Sequence, residues 1–282
     1  MADMPIAPDI IDRSGIAAGG LRAMLSGYAA RLRDRSKSLI NFFDLQMETL
    51  ILGWIGTTLA IAFFKIAYAP DPPRDLLHAA SLSLPYLLVA LAPIAGYRLA
   101  AGSFPRGTLT AQPAIRLCRY GTWRELDELS ARENPWFGPG GFMASLLLGL
   151  LLNVPVRSLE FFVAVPALGG GAPVWAQTIL TMMTLDVIVM NFFYMVCFVL
   201  ALRAVPLFPR MLLFAWLFDL MMQFAMARAI GAAPQLPGNV ATAMSTLLAG
   251  NVQKVLISIA VWLPYLIVSE RVNVTFRRRA RA

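Results

Sequence analysis

The sequence predicts an all-α fold: a polytopic membrane helix bundle with about six transmembrane helices and one or two interfacial amphipathic helices. Of the 282 residues, 58% are apolar and 14% are charged, which is too little charge for the surface of a soluble domain. The mean hydropathy is correspondingly high, at +0.65. The apolar residues form long continuous runs, which predict membrane helices and exclude barrel strands, a cytosolic globular enzyme and a disordered chain.

Six apolar runs of roughly 22 to 29 residues are long enough, at about 1.5 Å per residue, to cross a hydrocarbon core of roughly 30 Å. These predicted spans are residues 47–68, 76–101, 140–165, 174–202, 207–230 and 246–268. They divide the chain into a basic cytoplasmic amphipathic arm (1–46), a two-helix membrane hairpin (47–102), a cytoplasmic or interfacial loop (103–138), a four-helix membrane bundle (139–269) and a basic cytoplasmic tail (270–282).

The arginines and lysines lie mainly on one side of the predicted membrane. With both termini in the cytoplasm, 19 of the 24 fall on the cytoplasmic side, six of them in the arm and five in the tail. This asymmetry satisfies the positive-inside rule and predicts an even number of spans. The basic residues of the cytoplasmic segments thus account for the net charge of +8, as is usual for membrane proteins. We expect the partners to be the lipid bilayer, through its anionic cytoplasmic leaflet, and other membrane proteins, but no nucleic acid.

Two segments outside the spans have amphipathic patterns. Within residues 18–40, apolar side chains recur at helical spacing while arginines occupy the other faces. This arm is predicted to lie along the membrane surface or to pack on the protein's own cytoplasmic face. In the loop, Thr122 and Glu125 have the spacing of a capping box and predict a helix that Asn134 and Pro135 end.

Charged residues within the spans are the candidate functional residues, because a charge in the bilayer is unfavourable unless it is paired or hydrated. Asp186 and Asp219 lie near the middle of the fourth and fifth spans. The other members of this candidate polar network are Arg157, Glu160, Gln223 and Lys254. We expect the aspartates to pair with Arg157 and Lys254, either as a structural ion-pair network or as the lining of a proton or substrate path.

Pro155 interrupts the third span within the sequence Asn153-Val154-Pro155-Val156-Arg157. Because proline lacks the amide donor and clashes with the preceding turn, it predicts a kink. A broken helix is the alternative, and several transporters use one to form a site at the membrane midplane.

Signatures of catalysis and metal binding are absent from the sequence. There is no Gly-x-Ser-x-Gly, His-Glu-x-x-His or phosphate-binding loop, and the chain has one histidine and two cysteines. We therefore expect no enzymatic activity, no metal and no cofactor.

The carboxy-terminal part reads Val261-Trp262-Leu263-Pro264-Tyr265-Leu266, followed by Ser269-Glu270-Arg271-Val272-Asn273-Val274-Thr275-Phe276. Together with the short basic link at 206–210, it resembles an uncharacterised bacterial multi-pass inner-membrane family, a domain of unknown function, over residues 139–276. The resemblance implies a bacterial inner (cytoplasmic) membrane and carries no activity with it. The tail arginines are expected to anchor the last helix at the cytoplasmic headgroups, and they are Arg271, Arg277, Arg278 and Arg279.

Two classes of function fit these features. The first, which the sequence favours, is a non-catalytic subunit or scaffold of a membrane complex. The second is a small transporter or permease for a lipid-like or apolar solute that uses the charged residues within the spans. A water-accessible cavity that reaches those residues would favour the second class.

Overall fold

The computed structural model describes residues 9–70, 72–107, 110–113 and 120–282, and it describes side chains from residue 35 onwards. The regular structure of the described residues consists of helices and one two-stranded ribbon, joined by turns and loops. The helices are α1 (Asp9–Ala67), α2 (Leu76–Ser103), α3 (Glu128–Glu133), α4 (Met143–Ala164), α5 (Val174–Leu202), α6 (Phe208–Gly231), α7 (Gly238–Val268) and α8 (Glu270–Arg277), and the strands are β1 (Trp123–Glu125) and β2 (Arg279–Arg281).

Six of these helices are long and apolar enough to cross a membrane, which confirms the all-α class and the six predicted spans. The bounds of the second to fifth spans agree with the prediction within three residues. The first and last spans begin earlier than predicted. Helix α7 begins directly after Pro237, and its polar first turns hid this start in the hydropathy pattern.

The predicted boundary between the arm and the first span, at residue 46, is not an element boundary. Helix α1 runs without interruption from Asp9 to Ala67, because no proline or glycine separates the arm from the span. The predicted amphipathic face of the arm lies largely in residues 9–34, outside the described side chains.

Helix α5 is the central span and packs against α2, α4 and α6. Its backbone comes very close to α2 at Gly96, where a Cβ atom would lie only 2.6 Å from the carbonyl oxygen of Phe192. Helix α1 packs on α2 and α4, and α7 packs on α6. Helices α1 and α7 are therefore the peripheral spans, and most of their apolar surface is open to lipid.

The bundle contains two separate apolar cores. One is built around Phe198, Phe208 and Trp216, near the α5–α6 connection. The other is built around Phe161 and Met226, toward the opposite ends of the same spans. The residues between the two cores are consequently those that face the interior at the middle of the spans.

The carboxy-terminal tail folds back onto the loop before α4. Strand β2 pairs antiparallel with β1, with Trp123 opposite Arg281 and Glu125 opposite Arg279. The predicted capping box at Thr122 and Glu125 is thus wrong, because Glu125 lies in a strand. The short helix α3 begins instead after Asp127, whose carboxylate accepts a hydrogen bond from the Ser130 amide at 3.3 Å.

The prediction that the tail arginines anchor the protein at the headgroups is wrong for Arg277 and Arg279. Both are buried and donate to the side-chain oxygen of Asn273, and Arg277 also donates to the Leu266 carbonyl at 2.7 Å. The physical reason is that carbonyls at a helix end need donors, which Arg277 supplies to Leu266, and that Asn273 offers both guanidinium groups a buried acceptor.

The other two predicted anchors, Arg271 and Arg278, also contact the protein. Arg271 lies 5.4 Å from the Trp136 ring centre and 3.3 Å from the Gly138 carbonyl oxygen. Arg278 forms an ion pair with Glu128 at 2.7 Å. These contacts fix the tail to the loop that precedes α4.

Candidate functional site

A layer of polar side chains separates the two apolar cores at the middle of the bundle. On α4, α6 and α7 the polar residues lie between the part of the helix that contributes to one core and the part that contributes to the other, and on α5 Asp186 lies one turn from Met190, where the first core begins. Asp219, for example, follows Trp216 of the first core and precedes Met226 of the second. Four helices therefore bring their polar positions to one level of the membrane.

Arg157 is the centre of this layer. Its Nη1 donates to Asp186 Oδ2 at 2.8 Å, and its Nη2 donates to Asp219 Oδ2 at 2.6 Å. The three residues are 8%, 4% and 0% exposed, respectively. One guanidinium from α4 thus bridges carboxylates from α5 and α6, a geometry that the planar fork of arginine suits.

Two neutral side chains complete the coordination of the carboxylates. The Tyr194 hydroxyl donates to Asp219 Oδ2 at 2.8 Å. Gln223 Nε2 lies 3.1 Å from Asp186 Oδ1 and 3.2 Å from Asp219 Oδ1. All four carboxylate oxygens therefore accept a hydrogen bond. Arg157 and Gln223 each donate to both aspartates.

The polar layer continues toward α7. Asn251 Nδ2 lies 3.4 Å from Gln223 Oε1, and Lys254 Nζ lies 3.3 Å from Asn251 Oδ1. Lys254 also forms an ion pair with Glu160 of α4, and their side chains are 57% and 34% exposed, respectively. A chain of hydrogen bonds thus joins the buried carboxylates to a partly exposed ion pair.

A cleft between α4 and α7 reaches this layer. It has a volume of about 130 Å³, and Arg157, Asp219, Glu160, Asn251 and Lys254 all line it. Toward the other end of the cleft the lining is mainly apolar and includes leucines of α4 and Trp262. A cavity of this size with several polar partners has room for several water molecules.

A larger cavity of about 440 Å³ lies on the opposite face of α4. Its lining is mostly apolar and includes Trp54, Pro93 and Pro155, without a charged residue. Four charged residues of the spans therefore line the smaller cleft, and none lines the larger apolar cavity.

The structure brings all six residues of the predicted network together. Asp186 pairs with Arg157 as predicted. Asp219 pairs with Arg157 too, so the predicted pairing of an aspartate with Lys254 is wrong. Lys254 pairs with Glu160 because α7 packs on α6 and presents this lysine at the mouth of the cleft. The broken-helix alternative at Pro155 is also wrong, since α4 is one continuous helix through that residue.

Sequence reasoning missed Tyr194 and Asn251. Asn251 precedes Lys254 by one helical turn, so a search for polar residues on the face of Lys254 would have found it. Tyr194 carries no comparable signal, because a tyrosine in an apolar span is usually a packing residue.

The arrangement can hold and exchange protons and can bind water or a small polar solute. Among the described residues, no group of three or more histidine, cysteine, aspartate or glutamate side chains is placed to hold a metal ion.

Comparisons with known proteins identify no relative of this chain. No family model matches the chain, and neither the curated proteins nor the solved structures give a match. The resemblance over residues 139–276 therefore stays a prediction.

Proposed function

We propose that this protein is a small membrane carrier whose cleft between α4 and α7 forms the path of a small polar solute or ion. The observation that carries the proposal is the cavity itself, which reaches the buried Arg157 and Asp219 from the partly exposed pair of Glu160 and Lys254. A scaffold needs no cavity at its buried charges. The cleft therefore favours a carrier over the alternative of a non-catalytic subunit.

The chemistry of the cleft also limits the class of solute that it could bind. Its polar end is lined by two cations, two carboxylates and an amide, so it suits a hydrated or polar group better than a lipid-like solute. We propose that the protein acts without catalysis in a bacterial inner membrane. Both termini would then be cytoplasmic, and the basic loops would face the anionic leaflet.

Thiol labelling tests whether the cleft is open to water. Single cysteines at Asn153 and Ser258, which line the cleft, are introduced into a Cys118→Ser background, in which the remaining Cys197 is fully buried. A hydrophilic maleimide reacts with the thiolate, which needs water to form. We expect both positions to react in membranes.

Matched controls lie on the same two helices but outside the cleft. Leu148 and Ile257 are exposed and line none of the cavities described above, so cysteines there would face lipid and stay unreactive. Equal reactivity at all four positions, or none at Asn153 and Ser258, would reject a hydrated path and restore the scaffold alternative.

A further inference from the structure

We propose that the cluster of Arg157, Asp186 and Asp219 binds one exchangeable proton. The proton is then one of the ions that enter and leave through this cleft. The proposal rests on the proposed function in one respect: the cleft supplies the water with which the proton exchanges. It goes further in naming the ion and the groups that hold it.

The first step is the balance of charge in the polar layer. Lys254 and Glu160 neutralise each other in their ion pair. Arg157 then remains alone against the two aspartates, and the buried cluster has a formal charge of −1. A buried net charge is strongly unfavourable, and arginine cannot relieve it by losing a proton. One added proton makes the cluster neutral.

No further charged group of the surrounding helices supplies the balance. Helices α4, α5 and α7 contain no other Asp, Glu, Lys or Arg, and Arg98 of α2, which also packs on α5, is paired with a glutamate of α1. Helix α6 adds Arg210 and Arg228, each nine residues from Asp219 along the chain, or about 13 Å along the helix axis. Tyr194 faces the cluster as a neutral donor.

The second step is the geometry of the two carboxylates. Both Oδ2 atoms accept from Arg157, and both Oδ1 atoms approach the same Gln223 nitrogen. Because both carboxylates are held by the same donors, a proton added to either one belongs to the pair. Uptake breaks an O–H bond of a hydronium ion in the cleft and forms one on a carboxylate oxygen. The cluster goes from −1 to neutral, and release reverses the step.

The third step is access. Asp219 lines the cleft directly, and Gln223 and Asn251 connect the carboxylates with Lys254 by hydrogen bonds. A proton can therefore enter or leave through water in the cleft without crossing an apolar core.

Infrared difference spectroscopy of the reconstituted protein tests the proposal. As the pH is lowered, we expect the carbonyl stretch of a protonated carboxyl to appear in a single titration step. Asp186→Asn and Asp219→Asn should each remove this band. Glu48→Gln, which changes an exposed carboxylate in α1 paired with Arg98, should leave it intact.

Both aspartate variants should fold, because an asparagine at either position mimics the neutral cluster. Loss of folded protein in both variants would overturn the proposal, as would a band that persists in both. The titration is repeated with choline in place of sodium. A carboxylate that titrates only when sodium is absent would reassign the site to that cation.

The outcome is separate from that of the thiol labelling. If Ser258→Cys is labelled but the carboxyl band is absent, the hydrated path is supported and the proton-binding cluster is rejected. The band without labelling would leave a buried, protonated pair with a structural role and reject the exchange with water.

Discussion

Arg157 is the residue on which the polar layer depends, because it neutralises two carboxylates from two other helices. Replacing it with methionine leaves both aspartates buried without a cation. We expect Arg157→Met to lower the free energy of unfolding by about 3–5 kcal/mol. Thermal unfolding in mild detergent measures the loss, and Lys254→Met, at the partly exposed mouth of the cleft, should lose clearly less.

Double-mutant cycles identify the partners. Combining Arg157→Met with Asp219→Asn should destabilise less than the sum of the single changes, since the second removes a charge that the first left unpaired. Asp219→Asn with Lys254→Met should deviate from additivity clearly less, because these two residues are linked only through Gln223 and Asn251. The reverse pattern would contradict the structure.

Tyr194 has a smaller, separable effect. Its hydroxyl donates to a buried carboxylate, and a hydrogen bond to a charged group contributes about 1.5–3 kcal/mol. Tyr194→Phe should therefore lower the unfolding temperature, whereas Tyr68→Phe, at an exposed site, should leave it unchanged. Equal effects would argue against the Tyr194–Asp219 bond.

Among the elements, α2 and α5 approach each other very closely at Gly96. A methyl group there would collide with the Phe192 carbonyl, so the helices must move apart. We expect Gly96→Ala to destabilise by about 1–3 kcal/mol. Gly56→Ala in α1, where nothing lies within 4 Å of the added atom, is the matched control and should not destabilise. Thermal unfolding of both variants decides the question.

Helix α3 offers a prediction about pH. Hydrogen bonds from Ser130 lower the pKa of the Asp127 carboxyl. The capping contribution is present above the ordinary pKa of aspartate and is lost as the pH falls through the lowered value. The protection factor of the Ser130 amide, which is its intrinsic exchange rate at each pH divided by the measured rate, should fall on acidification. In Asp127→Asn, which caps without a charge, the pH dependence should disappear.

The elements show which features the sequence could predict. The spans were predictable because an apolar run is a local property. The predicted bounds of α2, α4, α5 and α6 agree with the structure within three residues. The burial of Arg277 and Arg279 was not predictable, because it depends on β2 pairing with a strand far away in the chain. A run of arginines next to a span has the same local pattern whether it faces lipid or protein.

At the scale of the whole molecule, the presence of the polar layer was predictable and its pairing was not. Asp186, Asp219 and Arg157 stand out as charges within apolar runs. The choice between Arg157 and Lys254 as the partner of Asp219 depends on the packing and rotation of α7, which no local pattern specifies.

The orientation of the molecule is a further prediction. Reporter fusions at residues 2 and 282 should both give a cytoplasmic signal, because 19 of the 24 basic residues then lie on that side. A periplasmic signal from either end would overturn the proposed topology.

The measurement that tests the central claim most directly is one-sided thiol labelling of Ser258→Cys in sealed, oriented membrane vesicles. A carrier exposes its path to the two sides alternately, so the reagent should label Ser258→Cys from one side at a time. A change of pH that protonates the carboxylate pair should alter which side labels faster. Labelling from neither side, with Ile257→Cys also silent, would contradict the claim that water reaches the charged layer.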